Sequence, residues 1–192
     1  GTMMTTPELT FAVLVLLLTP GPTNSLVLLA GVERGVAGAA RLIPTELAGY
    51  FLTVLPLALA GTTVLADHHG LRTGLTLAAG AWVAVLAVRL WRMPGTGGAA
   101  AAVGARALFV TTALNPKALI FGLVLLPSPD RLVANLALFA GLVALVALLW
   151  AGIGTALRKG TGQPRAIFFL RRLASVWLAA ISVVLIARGV GA

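Results

Sequence analysis

The sequence predicts an all-α polytopic membrane protein of six transmembrane helices, arranged as two inverted three-helix repeats with helices 1 and 4 broken near the midplane. Three observations carry that expectation. Of the 192 residues 59% are apolar before the 22 glycines are counted, against roughly 45–50% with glycine counted in soluble domains. Only 10% are charged, less than half of the about 25% that covers the outside of a soluble domain. The apolar runs recur at regular intervals and are separated by charge and by Gly and Pro. At about 20 apolar residues per crossing the length holds six or seven helices and no separate soluble domain.

The elements follow in order. Gly1-Thr2, ahead of Met3 and Met4, reads as a cloning remnant. Thr5 to Pro7 carry no Lys or Arg of the kind a signal peptide needs, so the first run is expected to remain as a helix. Span one covers about Pro7 to Glu33, span two about Gly38 to Leu65, with Pro44 and Pro56 inside it, and span three about Gly70 to Leu90. A linker built around Pro94-Gly95-Thr96-Gly97-Gly98 leads to span four, about Gly104 to Leu126. Span five follows Pro129-Asp130 and reaches about Leu157, and span six covers about Leu173 to Ala187. The chain is thus one transmembrane domain over 1–192, with repeat one at about 7–93, a linker at 94–103 and repeat two at about 104–190.

The formal charge of +9 does not indicate nucleic acid, because the basic residues sit at the ends of apolar runs and form no stripe. Their distribution is a topology signal. Alternate loops hold Arg34 and Arg41, then Arg89, Arg92 and Arg106, then Arg158, Lys159, Arg165, Arg171 and Arg172, against Arg72, Arg131 and Arg188 on the other side. By the positive-inside rule the first set is cytoplasmic and both termini lie outside. Trp91 and Trp150 fit interfacial anchors at cytoplasmic ends, with helix packing as the alternative. With no Cys there is no disulfide, thiolate nucleophile or Cys-based metal site.

Span one is interrupted by Thr19-Pro20-Gly21-Pro22. At ~1.5 Å per residue Pro20 stands about 20 Å from both Pro7 and Glu33, near the midplane. Two prolines remove two donors and free carbonyls that lipid cannot satisfy, so the break must be buried in protein or line a polar cavity. Span four carries Asn115-Pro116-Lys117, with Lys117 about 16 Å from Arg106 and also near the midplane. A Lys there costs roughly 2.5–3.5 kcal/mol to insert and is expected to face a partner or water. Placing Pro116 on Pro20 sets Gly80-Ala81-Trp82 against Ser175-Val176-Trp177 at nearly the same offset, which suggests the two halves. An odd number of crossings per half inverts the second. In transporters so built the site lies between repeats, where half-helix N-termini attract anionic groups. Lys117 is then placed to face a substrate carboxylate. Read otherwise, the breaks are packing kinks and Lys117 is neutralised by Glu46. Glu46, the one acid well inside an apolar run, can pair with Lys117, receive a substrate ammonium or take up a proton. Following Pro44, it also reads as a first-turn residue of a helix.

Leu18-Thr19-Pro20-Gly21-Pro22, followed by an apolar helix to Gly35, resembles the first-helix signature of the LysE/RhtB amino-acid exporters. Leu114-Asn115-Pro116-Lys117-Ala118, continuing to Leu126-Pro127, resembles the fourth-helix signature, and Gly80-Ala81-Trp82-Val83 the third-helix pattern. The likeness covers essentially the whole chain. It implies an inner-membrane exporter of amino acids or close derivatives, driven by the proton gradient, often dimeric and without a cofactor. The site is expected at Thr19, Pro20, Gly21, Pro22, Asn24, Asn115, Pro116 and Lys117, with Glu46 as the proton or ammonium partner. The family usually carries Asn or Asp directly after the second Pro, where this chain has Thr23 with Asn24 next. Its early second helix is usually Gly/Ala-rich, so Glu46 does not carry over from it.

A cation exporter of related architecture is the first alternative, but it needs several ligands at midplane depth and Glu46 stands alone there. An intramembrane enzyme needs a nucleophile or acid–base pair, and no Ser, His and Asp share a depth. Asp67-His68-His69 reads as a solvated turn, with a metal or pH-sensing role as the alternative. Gly31 with Gly35, and Gly70 with Gly74, have the spacing that lets membrane helices approach.

Overall fold

The protein is described here by a computed structural model covering residues 4–61, 68–92, 104–161 and 164–191. Among these residues it is all-helical. The helices are α1 (Thr6–Leu18), α2 (Pro22–Ala40), α3 (Ile43–Pro56), α4 (His69–Arg92), α5 (Ala105–Ala113), α6 (Pro116–Ile120), α7 (Leu132–Thr161) and α8 (Pro164–Gly191). Wider π-helical turns, Leu57–Gly61 and Phe121–Leu125, extend α3 and α6. Four helices are long and apolar enough to cross a membrane, and two pairs, α1 with α2 and α5 with α6, reach that length together but are bent by 66° and 46°. These are the helices of a membrane-embedded protein, with four to six candidate crossings.

Local chemistry sets most boundaries. Thr5 and Glu8 cap α1 reciprocally, each side chain accepting the other's backbone N–H. Thr19 precedes Pro20 and is extended, at φ −59° and ψ 126°, because a following proline disfavours the helical region. Asn115 precedes Pro116 and adopts nearly the same conformation, at φ −65° and ψ 126°. Pro56 is the last residue of α3, and the helical path continues past it as the wider turn Leu57–Gly61.

Helix directions follow from the contacts. Arg131, just ahead of α7, donates to Thr6 Oγ1 at 3.4 Å. Arg158, near the end of α7, donates to the Val32 and Glu33 carbonyls at 3.2 and 3.0 Å. The bent α1–α2 pair thus runs alongside α7, in the same direction and over its length. Glycine allows the closest approach: a Cβ on Gly31 would fall on the Ala151 carbonyl, and one on Gly154 on the Leu28 carbonyl. The α3 helix runs parallel to the bent α5–α6 pair, with Gly49 against Phe109 and Thr112 and, further along, Leu57 against Gly122. Conversely, α4 and α8 are antiparallel, tied by Ser182 Oγ to the Gly80 carbonyl at 2.8 Å and Ser175 Oγ to the Ala87 carbonyl at 2.5 Å. Two apolar clusters result. One holds Leu26, Leu29, Leu86, Leu108 and Leu178, and the other Leu9, Val13, Val54, Phe121 and Phe139.

Several expectations are corrected. The last helix starts at Pro164 and not near Leu173, because Arg171 pairs with Glu33 at 3.1 Å and Arg172 stacks on Trp91, which hold the expected loop in helix. The second span starts at Ile43 and not Gly38: Gly35, at φ 72° and ψ 174°, breaks the first helix close to its expected end at Glu33, and 36–40 form a short separate helical stretch ahead of Arg41 and Leu42. Trp150 lies inside α7 and packs on both apolar clusters, so it is a packing residue. Gly31 serves packing within the chain, whereas Gly35, Gly70 and Gly74 have no neighbour among the described residues where a Cβ would stand. The linker at 94–103 and Asp67 lie outside the described residues, while His68 is exposed ahead of α4.

Candidate functional site

The two proline breaks meet between the clusters. Lys117, in the first turn of α6, extends its ammonium across to the Thr19 carbonyl at the break between α1 and α2. Gly21 lies beneath it, where a methyl group would stand 3.4 Å from Nζ. Its φ of −162° and ψ of −172° are open to any residue, and a methyl group there would make ordinary contact with the Lys117 side chain. Pro22 is buried as the first residue of α2, while Thr19 and Pro20 are exposed. The α2 N-terminus has no side-chain cap, which leaves the positive end of its dipole directed at the break.

The carbonyls freed by the break find side-chain donors. Asn24 Nδ2 donates to Leu17 O at 2.6 Å and Thr19 O at 3.0 Å, while Ser25 Oγ donates at 2.7 Å to Gly21 O, which already accepts the Ser25 N–H at 2.9 Å. Across the site Asn115 Oδ1 accepts from the Lys117 backbone N–H at 3.1 Å. Asn115 Nδ2 donates to Thr23 Oγ1 at 3.1 Å, and Thr23 Oγ1 lies 3.2 Å from Thr112 Oγ1. Thr53 Oγ1 supplies the Ala113 carbonyl at 2.6 Å, left open because the Lys117 N–H turns to Asn115 Oδ1. Asn24→Ala is expected to cost about 2 kcal/mol, since it strips the buried Leu17 carbonyl of its side-chain donor and the part-buried Thr19 carbonyl of one of two. Thermal unfolding in detergent measures this, and an unchanged melting temperature would show that water replaces the amide.

Glu46 sits in the first turn of α3 behind Pro44, as a helix-start residue would. It is also 3% exposed, and its Oε2 has no hydrogen-bond partner. It lies within electrostatic reach of Lys117, yet the two make no ion pair. Lys117 is therefore not neutralised by direct contact with Glu46. Among the described residues no three His, Cys, Asp or Glu gather as metal ligands would.

The structure brings Thr19, Pro20, Gly21, Pro22, Asn24, Asn115, Pro116 and Lys117 into one constellation, with Glu46 beside it. Sequence reasoning missed Thr53, Thr111 and Thr112, and it drew no role from Thr23. Trp82 Nε1 donates to Thr111 Oγ1 at 2.9 Å, which ties α4 to α5. The available signal was hydroxyl residues inside apolar spans and immediately ahead of Asn115-Pro116. The proposed likeness of Trp82 and Trp177 does not extend to their contacts, since Trp177 is 46% exposed. Comparison with protein-family models, with curated proteins and with solved structures finds no match to this chain.

Proposed function

We propose that the chain is an inner-membrane exporter of amino acids or close derivatives, coupled to the proton gradient. The observation that carries the reading is a Lys117 ammonium and a buried Glu46 carboxyl that lie near each other without forming an ion pair. An ammonium has three donors, and that of Lys117 gives one to Thr19 O. Glu46 Oε2 is a buried acceptor with nothing to accept. Both groups lie beside a broken helix and are not spent on each other. Separated charges of this kind complement a zwitterion, whose carboxylate takes Lys117 and the α2 dipole and whose ammonium takes Glu46. The same carboxylate is a natural acceptor for the coupling proton. The motif resemblance to LysE/RhtB exporters points the same way.

We further read the helices as six crossings in two inverted three-helix repeats. If each bent pair is one crossing, the parallel neighbours are spans one with five and two with four, and the antiparallel pair is span three with six. Alternating crossings require this pattern. Exchange of repeats also maps each pairing onto another or onto itself. Thr19 and Asn115 then become equivalent, in keeping with their shared ψ of 126°. The Arg-rich ends of α4, α7 and α8 face the cytoplasm, which leaves both termini outside.

The test is efflux from proteoliposomes loaded with a mixture of labelled amino acids, with and without an imposed proton gradient. Loss of one chemical class, accelerated by the gradient, is the expected result. No loss of any amino acid from folded protein would overturn the reading. Glu46→Gln is expected to slow efflux about tenfold. It should also melt no lower than the parent, because it removes a buried carboxylate with an unfilled oxygen.

A further inference from the structure

Arg172 is an arginine held in place with nothing to hold. Its guanidinium stacks on the Trp91 ring at 3.8 Å from the centroid and lies 4.7 Å from that of Phe168. The two rings fix the plane of the group, as cation–π contacts do. Its Nε is buried without a partner, and among the described residues the side chain makes no hydrogen bond or ion pair. The nearest acid along this end of the bundle, Glu33, is already paired with Arg171. The other described acids do not serve: Glu8 lies at the start of α1, Asp130 ahead of α7, and Glu46 beside Lys117. A fixed, partly desolvated cation with its fork unfilled calls for an anion with paired oxygens.

The surroundings select which anion. Trp91 is 46% exposed, and Phe169 and Leu173, on the turns of α8 around Arg172, are 62% and 50% exposed. Arg89 and Arg92 add positive charge on the facing end of α4. An apolar skirt around a basic fork beside an exposed Trp is the chemistry of a lipid headgroup with its acyl chains, at the depth where aromatic residues anchor.

We propose that Arg172, clamped between Trp91 and Phe168, binds the phosphate of an anionic phospholipid. The site needs only that the chain is membrane-embedded and stands whatever it transports. The test uses the full chain in nanodiscs containing phosphatidylglycerol and phosphatidylcholine. Co-purified lipid is read by native mass spectrometry, and thermal shift with inorganic phosphate is read in detergent. The wild type is expected to retain phosphatidylglycerol about tenfold over phosphatidylcholine. Arg172→Lys, which keeps the charge and loses the fork, should abolish the preference, and Trp91→Ala should weaken it. Arg41→Lys, at an exposed arginine elsewhere, should leave it intact. Equal retention of both lipids by wild type, or a preference unchanged in Arg172→Lys, overturns the proposal. So does stabilisation by inorganic phosphate without lipid preference, which would assign the fork to free phosphate. If Arg172→Lys does not fold, Trp91→Ala decides, and an undiminished preference there counts against the site.

Discussion

Lys117→Ala is expected, on the exporter reading proposed above, to lower amino-acid efflux about 100-fold, the loss of one charge-assisted bond of ~3 kcal/mol to a substrate carboxylate. The protein should still fold. The Thr19 carbonyl keeps a donor from Asn24 Nδ2 at 3.0 Å, and the backbone at Lys117 remains capped by Asn115. The variant also removes an ammonium whose insertion is costly. Efflux of labelled substrate, measured beside a melting curve on the same preparation, separates function from folding. Efflux at the parent rate from folded Lys117→Ala would take Lys117 out of the mechanism.

The largest stability effect is expected at the crossing of α2 and α7. Gly31→Ala and Gly154→Ala each place a methyl group on a backbone carbonyl, of Ala151 and of Leu28. Backbone cannot swing aside as a side chain does, so the helices must separate. That also loosens the bond from Thr155 Oγ1 to Gly31 O at 3.2 Å. Each substitution is expected to cost about 3 kcal/mol. The double variant should aggregate on extraction, whereas Gly141→Ala, on α7 with open space at that position, should melt near the parent temperature. Size-exclusion profiles and melting curves of the four proteins measure this, and a stable double variant would mean that the crossing relaxes.

Apolar composition and the rhythm of charge made the helices legible in the sequence, because lipid leaves a chain few other ways to satisfy its backbone. The breaks were legible for the same reason: Pro20, Pro22 and Pro116 act on their own neighbours. What holds the breaks together was not. Thr23, Thr53 and Thr112 acquire roles only when α2, α3 and α5 lie side by side, and no local pattern marks which hydroxyl in an apolar helix will find a carbonyl. The start of α8 was missed because Arg171 and Arg172 read as loop residues. Their partners, Glu33 and Trp91, are far away in sequence.

Helix pairing also bears on how such a chain is made. Each helix of the first half finds its main neighbour in the second: α2 on α7, α3 on α5, and α4 on α8. A ribosome delivers these partners late, so the early helices must wait in lipid with Gly31, Gly49 and Gly80 uncovered. Closure over such sequence separations is slow. The first half expressed alone should therefore remain unassembled and be open to proteolysis. Co-expression of the two halves as separate chains should restore it, since the contacts that matter cross from one half to the other.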